Sequence, residues 1–407
     1  MDKARQETLH AHFSSPEKQL RPVLTSLNGD NSWLMSFPRS RAEQAVVRKA
    51  FYHVVFEPWL EGPTSIIGTW FFNVSLISSA TIPNAEAVEA VARQIEAAAV
   101  AHLPSPDQER LDQGEEGAYT GAIDAIILGL HFPDHLHGPT LRSFDPRIPV
   151  IATPEAAGYV RPWNHFKTIK LMNNLDASAK SWQTPEIHPG EPFPPWLTAI
   201  RIPGHNDVNF CLAFVWSHVV DNGDQVHETI LYSPHGTRLD HGPFEAFINA
   251  EPKTEMLTLL HGLQESHTRG TQTNTGAKGG LELYRKVGGI KYWILTHHSD
   301  MTFGGLYFYL FPPQNTERTT DWMLEDEQKT DPSAAELEKP NVVDSGTEEV
   351  HTPQSLSGPV LALFHDEHRD NMDLQREIVR GTKHYESDVL IADGATGAIF
   401  IIATSNS

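Results

Sequence analysis

Residues 124–137, with the sequence DAIILGLHFPDHLH, run from an apolar segment directly into a loop rich in histidine. The apolar side chains of the first part do not alternate with polar ones, which predicts a central strand buried on both faces. The loop that follows contains His131, Asp134 and His135. Because ligands bind at the carboxyl ends of strands in open α/β sheets, this loop is a candidate functional site.

The same arrangement recurs after three other predicted strands, whose loops contain His205, His235 and His297. A single histidine beside a proline or glycine is most often a turn residue, but four such loops at strand ends favour a common site. Imidazole and carboxylate together suit Zn²⁺, iron or manganese. We therefore predict a metal site formed by these four loops, which contain His131, Asp134, His135, His205, His235 and His297.

Predicted strands and helices alternate along the chain, which indicates a layered α/β domain. We expect a flexible arm over residues 1–21 and the main domain over residues 22–311. An acidic, disordered insertion is expected over residues 312–357, and residues 358–407 would complete the domain. The insertion is inferred from its charge, because residues 317–350 contain eleven acidic side chains against three basic ones.

The composition excludes several classes of function. The 407 residues carry a formal net charge of −21, whereas binding to nucleic acid or to an anionic membrane needs a basic surface. The single cysteine, Cys211, excludes an intramolecular disulfide and a cysteine-based zinc site. No apolar run reaches the roughly 18 residues of a membrane span, and Met1 to Leu20 lack the apolar segment of a secretory leader. We expect a small-molecule partner and a cytoplasmic location, and the sequence leaves the oligomeric state open.

Several motifs in the same order resemble those of the metallo-β-lactamase superfamily, and in particular a fungal branch of uncharacterised hydrolase-like proteins. Residues 124–137 resemble the strand and loop that carry the HxHxDH motif of the superfamily. Glu57 stands where an aspartate is usual in the fungal branch, and His235 stands where the superfamily usually has a bridging aspartate. The other segments that carry the resemblance are 56–63, 151–155, 202–205, 231–236 and 291–297.

The resemblance implies a four-layered αββα sandwich and a metal-dependent hydrolase. The substrate would be a small ester, lactone, amide or phosphate, and fungal relatives suggest a role in secondary metabolism. Zinc is the first choice of metal, with iron or manganese as alternatives. Asp134 would be the catalytic group that orients the attacking water or accepts its proton.

A second hypothesis belongs to a different class of function. Aligned on Asp134 and His135, the first two histidines of the HxHxDH motif fall at Leu130 and Phe132, which cannot bind a metal. The chain would then be a binding or scaffold protein that keeps the metallo-β-lactamase fold with a decayed site. The metal content of the purified protein separates the two hypotheses.

Overall fold

The structure is a computed structural model that describes residues 3–16, 18–104, 119–220, 222–240, 242–344, 389–392 and 399–402. Its strands are β1 (Val23–Ser26), β2 (Trp33–Pro38), β3 (Phe51–Phe56), β4 (Thr64–Ile66), β5 (Phe72–Leu76), β6 (Ala125–Leu128), β7 (Val150–Ala152), β8 (Ile169–Leu171), β9 (Leu197–Ile202), β10 (Cys211–Val219), β11 (Gln225–Tyr232), β12 (Glu255–Leu260), β13 (Glu265–Thr268), β14 (Thr271–Thr275), β15 (Tyr292–Ile294), β16 (Met301–Gly304), β17 (Gln314–Thr316), β18 (Val342–Val343), β19 (Val389–Ala392) and β20 (Ile399–Ile402). Its α-helices are α1 (Lys3–His12), α2 (Arg41–Val47), α3 (Ala85–Ala98), α4 (Gly138–Ser143), α5 (Pro154–Val160), α6 (Gly242–Asn249), α7 (Gly276–Val287), α8 (Leu306–Leu310) and α9 (Thr320–Thr330).

The strands form two large sheets and two small ones. The first large sheet has eight strands in the order β19-β20-β1-β2-β3-β6-β7-β8, and the second has six in the order β18-β15-β12-β11-β10-β9. Strands β3, β6, β7 and β8 run parallel in the first sheet, as do β11, β12, β15 and β18 in the second. Parallel strands bring their carboxyl ends to one edge of each sheet, where loops can form a site.

Strand β10 shows why these segments form strands that are buried on both faces. Successive side chains of a strand point to opposite faces, and β10 has apolar side chains on both. Leu212, Phe214 and Trp216 pack between the two sheets. Ala213 and Val215 point the other way, into the core beneath the outer helices. A strand of this composition is stable only between two other layers.

Three apolar cores separate four layers. One core lies between the first sheet and helices α1, α3, α4 and α5, and another lies between the two sheets. The third packs the second sheet against α6, α7 and α9. The architecture is therefore an α/β sandwich with αββα layering, which confirms the fold class predicted from the sequence.

The central strand predicted between Asp124 and Leu130 is present as β6, between β3 and β7. All four of its residues, 125–128, are buried with 0% exposure. Ile126 packs toward the helices and Ile127 toward the second sheet, so the prediction of burial on both faces is confirmed.

The flexible arm predicted for residues 1–21 is not what the structure shows. Residues 3–12 form helix α1, and Leu9 and Phe13 are 0% and 2% exposed in the core that contains Phe51. Phe13 directly follows the last residue of the helix and donates its backbone N–H to the carbonyl of Leu9 at 2.9 Å, so the two side chains lie on the same side. The segment contains few other large apolar residues, so its average polarity concealed a short amphipathic helix.

The acidic segment is also ordered where the structure describes it. Helix α9 buries Met323 in the core of the second sheet, and β18 pairs with β15 at the edge of that sheet. Two acids of α9 form ion pairs with basic residues of α7, Lys278 with Asp326 at 2.9 Å and Arg285 with Glu327 at 2.9 Å. Disorder is thus a wrong prediction for residues 314–344, because the acids lie on the outer face of a docked helix. Residues 345–357 lie outside the described residues.

Docking of α9 can be tested through Met323, which is 1% exposed. Met323→Ala should lower the free energy of unfolding by about 2–4 kcal/mol, because it removes a buried side chain and leaves a cavity. Leu337→Ala is a suitable control, since that side chain is 48% exposed. Urea unfolding measures both changes. Equal stabilities for the two variants would show that α9 is not part of the core.

The described part of the C-terminal segment belongs to the first sheet. Strand β20 pairs with both β1 and β19, and so extends the first sheet. Of residues 358–407, which were predicted to complete the domain, only 389–392 and 399–402 are among the described residues. None of the described helices combines the length and apolar composition that crossing a bilayer requires.

Candidate metal centre

Three histidines from three strand-end loops meet at one edge of the sandwich. His135 lies in the loop after β6, His235 follows β11 and His297 follows β15. The Nε2 atoms of His135 and His235 are 3.3 Å apart, and one ligand nitrogen from each of the three histidines lies within 4.8 Å of the others. Two nitrogen ligands of a tetrahedral zinc ion are about 3.3 Å apart when each bond is about 2.0–2.1 Å. The three side chains could therefore hold one divalent metal.

The Nδ1–H group of each ring donates a hydrogen bond to an oxygen of the surrounding protein. The partners are the Glu57 carboxylate for His135, the Asp30 carboxylate for His297 and the amide oxygen of Asn274 for His235. A partner on Nδ1 fixes the tautomer and the ring orientation, and leaves Nε2 as the ligand atom. This arrangement is typical of histidines that bind a metal.

Glu57 connects His135 to both sheets. Its Oε2 lies 2.6 Å from Nδ1 of His135 and accepts a hydrogen bond from the Tyr232 hydroxyl at 2.7 Å. Its Oε1 accepts the backbone N–H groups of Gly129 and Leu130 at 3.0 and 3.1 Å. A Cβ at position 129 would lie 2.8 Å from Oε1, so glycine permits this approach. The fully buried carboxylate is thus satisfied on both oxygens.

Asp30, in the turn between β1 and β2, holds the ring of His297 as Glu57 holds that of His135. Its Oδ2 lies 3.0 Å from Nδ1 of His297, and its Oδ1 accepts the backbone N–H of Ser299 at 3.1 Å. Burial opposes the negative charge, but His297 and the Ser299 N–H outweigh it and lower the pKa of Asp30. The Asp30 carbonyl also accepts the hydroxyl of Thr296 and the backbone N–H of His297. A turn far away in sequence therefore fixes the third histidine.

Two residues of the site have left-handed backbone conformations. The φ angle is +44° at Glu57 and +51° at His297. Such a conformation costs a non-glycine residue roughly 1–2 kcal/mol. Residues held in this way are concentrated at functional sites, where the surrounding structure compensates the strain. Four other described non-glycine residues also have positive φ, so the strain accompanies this site but does not identify it.

Asp134 lies at the open side of the cluster. Its Oδ2 is 3.5 Å from Nε2 of His135 and 4.0 Å from Nε2 of His297, and the side chain is 23% exposed. The backbone carbonyl of Asp134 accepts the Asn31 side-chain amide at 2.8 Å, which fixes the loop. A carboxylate in this position can act as a fourth metal ligand or take a proton from water.

Two of the histidines have opposite charge preferences in the metal-free protein. Burial opposes a charge on His135, but the carboxylates of Glu57 and Asp134 outweigh it and raise its pKa to about 9. Burial, together with the imidazoles of His297 and His135, lowers the pKa of His235 well below its usual value. His135 is therefore protonated at neutral pH and His235 is neutral. The proton on His135 occupies the nitrogen that a metal would use, so binding of a metal releases a proton.

Two of the predicted ligands lie outside this cluster. The ring of His131 stacks on Tyr159 with centroids 5.5 Å apart and an interplanar angle of 15°. His205 is exposed, although its loop lies at the same sheet edge. That loop reaches the site through Asn209, whose amide donates to the carbonyl of His235 at 2.9 Å. His131 and His205 are thus not among the three histidines whose ligand nitrogens lie within 4.8 Å of one another, and their place in a metal shell stays a prediction.

Sequence reasoning missed Asp30, Asn274 and Tyr232. Asp30 belongs to the sequence Asn-Gly-Asp-Asn at 28–31, whose composition indicates only a turn. Asn274 lies in β14 and Tyr232 ends an apolar strand, so neither carries a signal of its own. Their roles arise from contacts between segments that are distant in sequence.

The fold and the site together define an α/β sandwich with a candidate metal centre. No protein-family model matches the chain, and no curated protein matches it. Solved structures similar to it include an isothiocyanate hydrolase from Delia radicum gut bacteria, with 12% identity, a TM-score of 0.43, and coverage of 79% of this chain and 95% of that chain.

Two further solved structures are similar at a lower level. A possible metal-dependent hydrolase from Veillonella parvula has 9% identity and a TM-score of 0.40, covering 69% of this chain and 86% of that chain. A metallo hydrolase from the archaeon Ignicoccus hospitalis has 9% identity and a TM-score of 0.36, covering 79% and 94% respectively. Membership of the fungal branch stays a prediction.

Proposed function

We propose that the protein is a metal-dependent hydrolase. The observation that carries the proposal is the convergence of His135, His235 and His297, each with its Nδ1 atom held by a buried or half-buried polar partner. A histidine that only fills space has no need of two fixed carboxylates and an amide behind it. Three imidazole nitrogens, all neutral once His135 has released its proton, with a carboxylate beside them suit zinc first, and iron or manganese as alternatives.

A divalent metal held there would polarise an ester, lactone, amide or phosphate oxygen and lower the pKa of a water molecule. Asp134 stands beside two of the ligand nitrogens and is partly exposed, so its carboxylate can orient the attacking water and accept its proton. Glu57 and Asp30 keep the imidazoles of His135 and His297 in place. The net charge of −21 supports a small-molecule substrate rather than a nucleic acid. We also propose a cytoplasmic location and, from the resemblance, a natural-product substrate.

The metal content of purified, tag-free protein tests this proposal. Wild-type protein should hold about one metal per chain, and His135→Ala and His297→Ala should each lose it while remaining folded. The loss is expected because a site with one of its imidazoles removed keeps too few ligands. His10→Ala is the control, because His10 is exposed on helix α1. Retention of metal in both site variants would contradict the proposal.

Asp134→Asn separates a hydrolase from a binding protein that merely holds a metal. This variant should keep the metal but hydrolyse a test ester such as p-nitrophenyl acetate about 10²-fold more slowly or worse, because it loses a proton acceptor. If wild-type protein binds metal yet hydrolyses no ester, lactone, amide or phosphate, the scaffold hypothesis becomes the better one.

A further inference from the structure

A cavity of about 530 Å³ lies at the end of the sandwich opposite the histidine cluster. Strand β2 links the two ends. The indole of Trp33 donates to the hydroxyl of Thr296, next to His297, while Pro38 lines the cavity. Five residues of extended chain span about 17 Å, so the two places are separate. We call this cavity the far cleft and define it by Lys18, Arg41, Gln44, Trp196, Trp216 and His218.

The far cleft is positive on a strongly acidic protein. Lys18 and Arg41 line it, and neither forms an ion pair with a carboxylate among the described residues; Arg41 donates instead to the carbonyl of His102 at 3.2 Å. The nearby acids are already engaged. Their partners are Trp196 for Glu43, Arg39 and Lys49 for Asp124, and Arg21 and His218 for Glu228. Glu43 keeps its negative charge, because the indole N–H is neutral, but the two cations outnumber it and favour an anion.

Two tryptophans line the cleft, and one of them presents a fixed aromatic surface to it. Trp216 is buried, its ring stacks on His218 at 3.8 Å, and its N–H donates to the carbonyl of Pro38 at 3.2 Å. Trp196 is half-buried, and its N–H donates to Glu43 at 2.6 Å. Trp216 is only 2% exposed, with His218 stacked on its ring and the Arg21 guanidinium 5.3 Å from its ring centroid, so it supports the wall from behind. The half-buried indole of Trp196 is anchored through its nitrogen and is already positioned to contact a planar ligand.

Gln44 adds a hydrogen-bond acceptor without a partner. It lines the cleft, is 4% exposed, and donates its amide N–H to the carbonyl of Arg39 at 2.9 Å. That bond fixes the orientation of the amide. The Oε1 atom then has no hydrogen-bond partner within the described part of the chain. Buried polar atoms are rarely left unpaired, so a ligand with an N–H or O–H donor would complete this group.

We propose that the far cleft is a binding site for a small, planar organic anion that also carries a hydrogen-bond donor. Lys18 and Arg41 bind the anionic group, the indole of Trp196 contacts the planar body, and Gln44 accepts the donor. The volume is within the roughly 300–1,000 Å³ of small-molecule sites. The site is independent of the metal centre and of the activity proposed for it.

Isothermal titration calorimetry with 6-hydroxy-2-naphthoate tests the proposal, because this probe has a planar body, a carboxylate and an O–H donor. Arg41→Gln and Lys18→Gln should each weaken binding roughly tenfold, as expected for a charge-assisted hydrogen bond. Gln44→Met should weaken it by a smaller factor. Arg93→Gln removes the same charge from helix α3, away from the cleft, and should leave the affinity unchanged. The melting temperature of each variant shows whether it is folded.

The carboxylate of the probe could also bind a metal held by the histidine cluster, so the titration is repeated with His135→Ala. The affinity for the probe should persist in this variant. The proposal is overturned if the probe does not bind at millimolar concentration, or if affinity is lost in His135→Ala but kept in Arg41→Gln. It is equally overturned if the neutral analogue 6-hydroxy-2-naphthamide binds as tightly as the anion.

Discussion

Ile126→Asp should leave the protein unfolded or aggregated at 25 °C, and this is the largest effect on stability that we expect. Ile126 lies in the middle of β6 with 0% exposure, in the core between the first sheet and the outer helices. The substitution removes a buried apolar side chain and places a carboxylate where no partner is available. The two effects together cost about 5 kcal/mol or more, which is comparable to the whole stability of many domains.

Circular dichroism and thermal melting measure the effect. Ile67→Asp makes the same chemical change at a side chain that is 78% exposed, and should melt like the wild type. A soluble Ile126→Asp protein with an unchanged melting temperature would mean that β6 is not a central strand.

The second large effect concerns Glu57, which is fully buried behind His135. In Glu57→Gln the amide can still accept the N–H groups of Gly129 and Leu130 through its oxygen. Its NH₂ group would then face Nδ1 of His135, which must accept rather than donate. The proton moves to Nε2, the nitrogen that the metal needs. We therefore expect metal affinity to fall by about 10–100-fold, with the fold retained.

Competition with a chelator of known affinity measures this change. Glu61→Gln is the matched control, since Glu61 lies in the same connection but is exposed. An affinity within twofold of the wild type in Glu57→Gln would show that the orientation of His135 does not depend on this carboxylate.

The features that could be predicted from sequence are those that depend on local pattern. The unbroken apolar run at 125–128 predicted a strand between two layers, and histidines directly after strands predicted a site at the sheet edge. His135, His235 and His297 do lie together at that edge. The sequence could not show that His135 reaches the site whereas His131 does not. The two histidines lie four residues apart in one loop, and only the folded loop turns His131 toward Tyr159.

The remaining features depend on contacts between distant segments. Asp30 supports His297 across more than 260 residues of chain, and nothing in its own turn indicates that role. Helix α9 was hidden by its acidic composition, because charge alone does not reveal that Met323 faces a core. The average composition of a segment predicts disorder well only when the segment cannot form a helix with one apolar face.

The three histidines come from both halves of the sandwich: His135 follows a strand of the first sheet, whereas His235 and His297 follow strands of the second. An ion bound by all three would cross-link the two sheets at one end. Binding to the native state alone adds about 4 kcal/mol to the free energy of unfolding when the free ion is a thousandfold above its Kd. In a cell, unfolded chains are removed by proteases. The abundance of this protein would therefore follow the supply of its metal, falling during metal starvation even if its synthesis stayed constant.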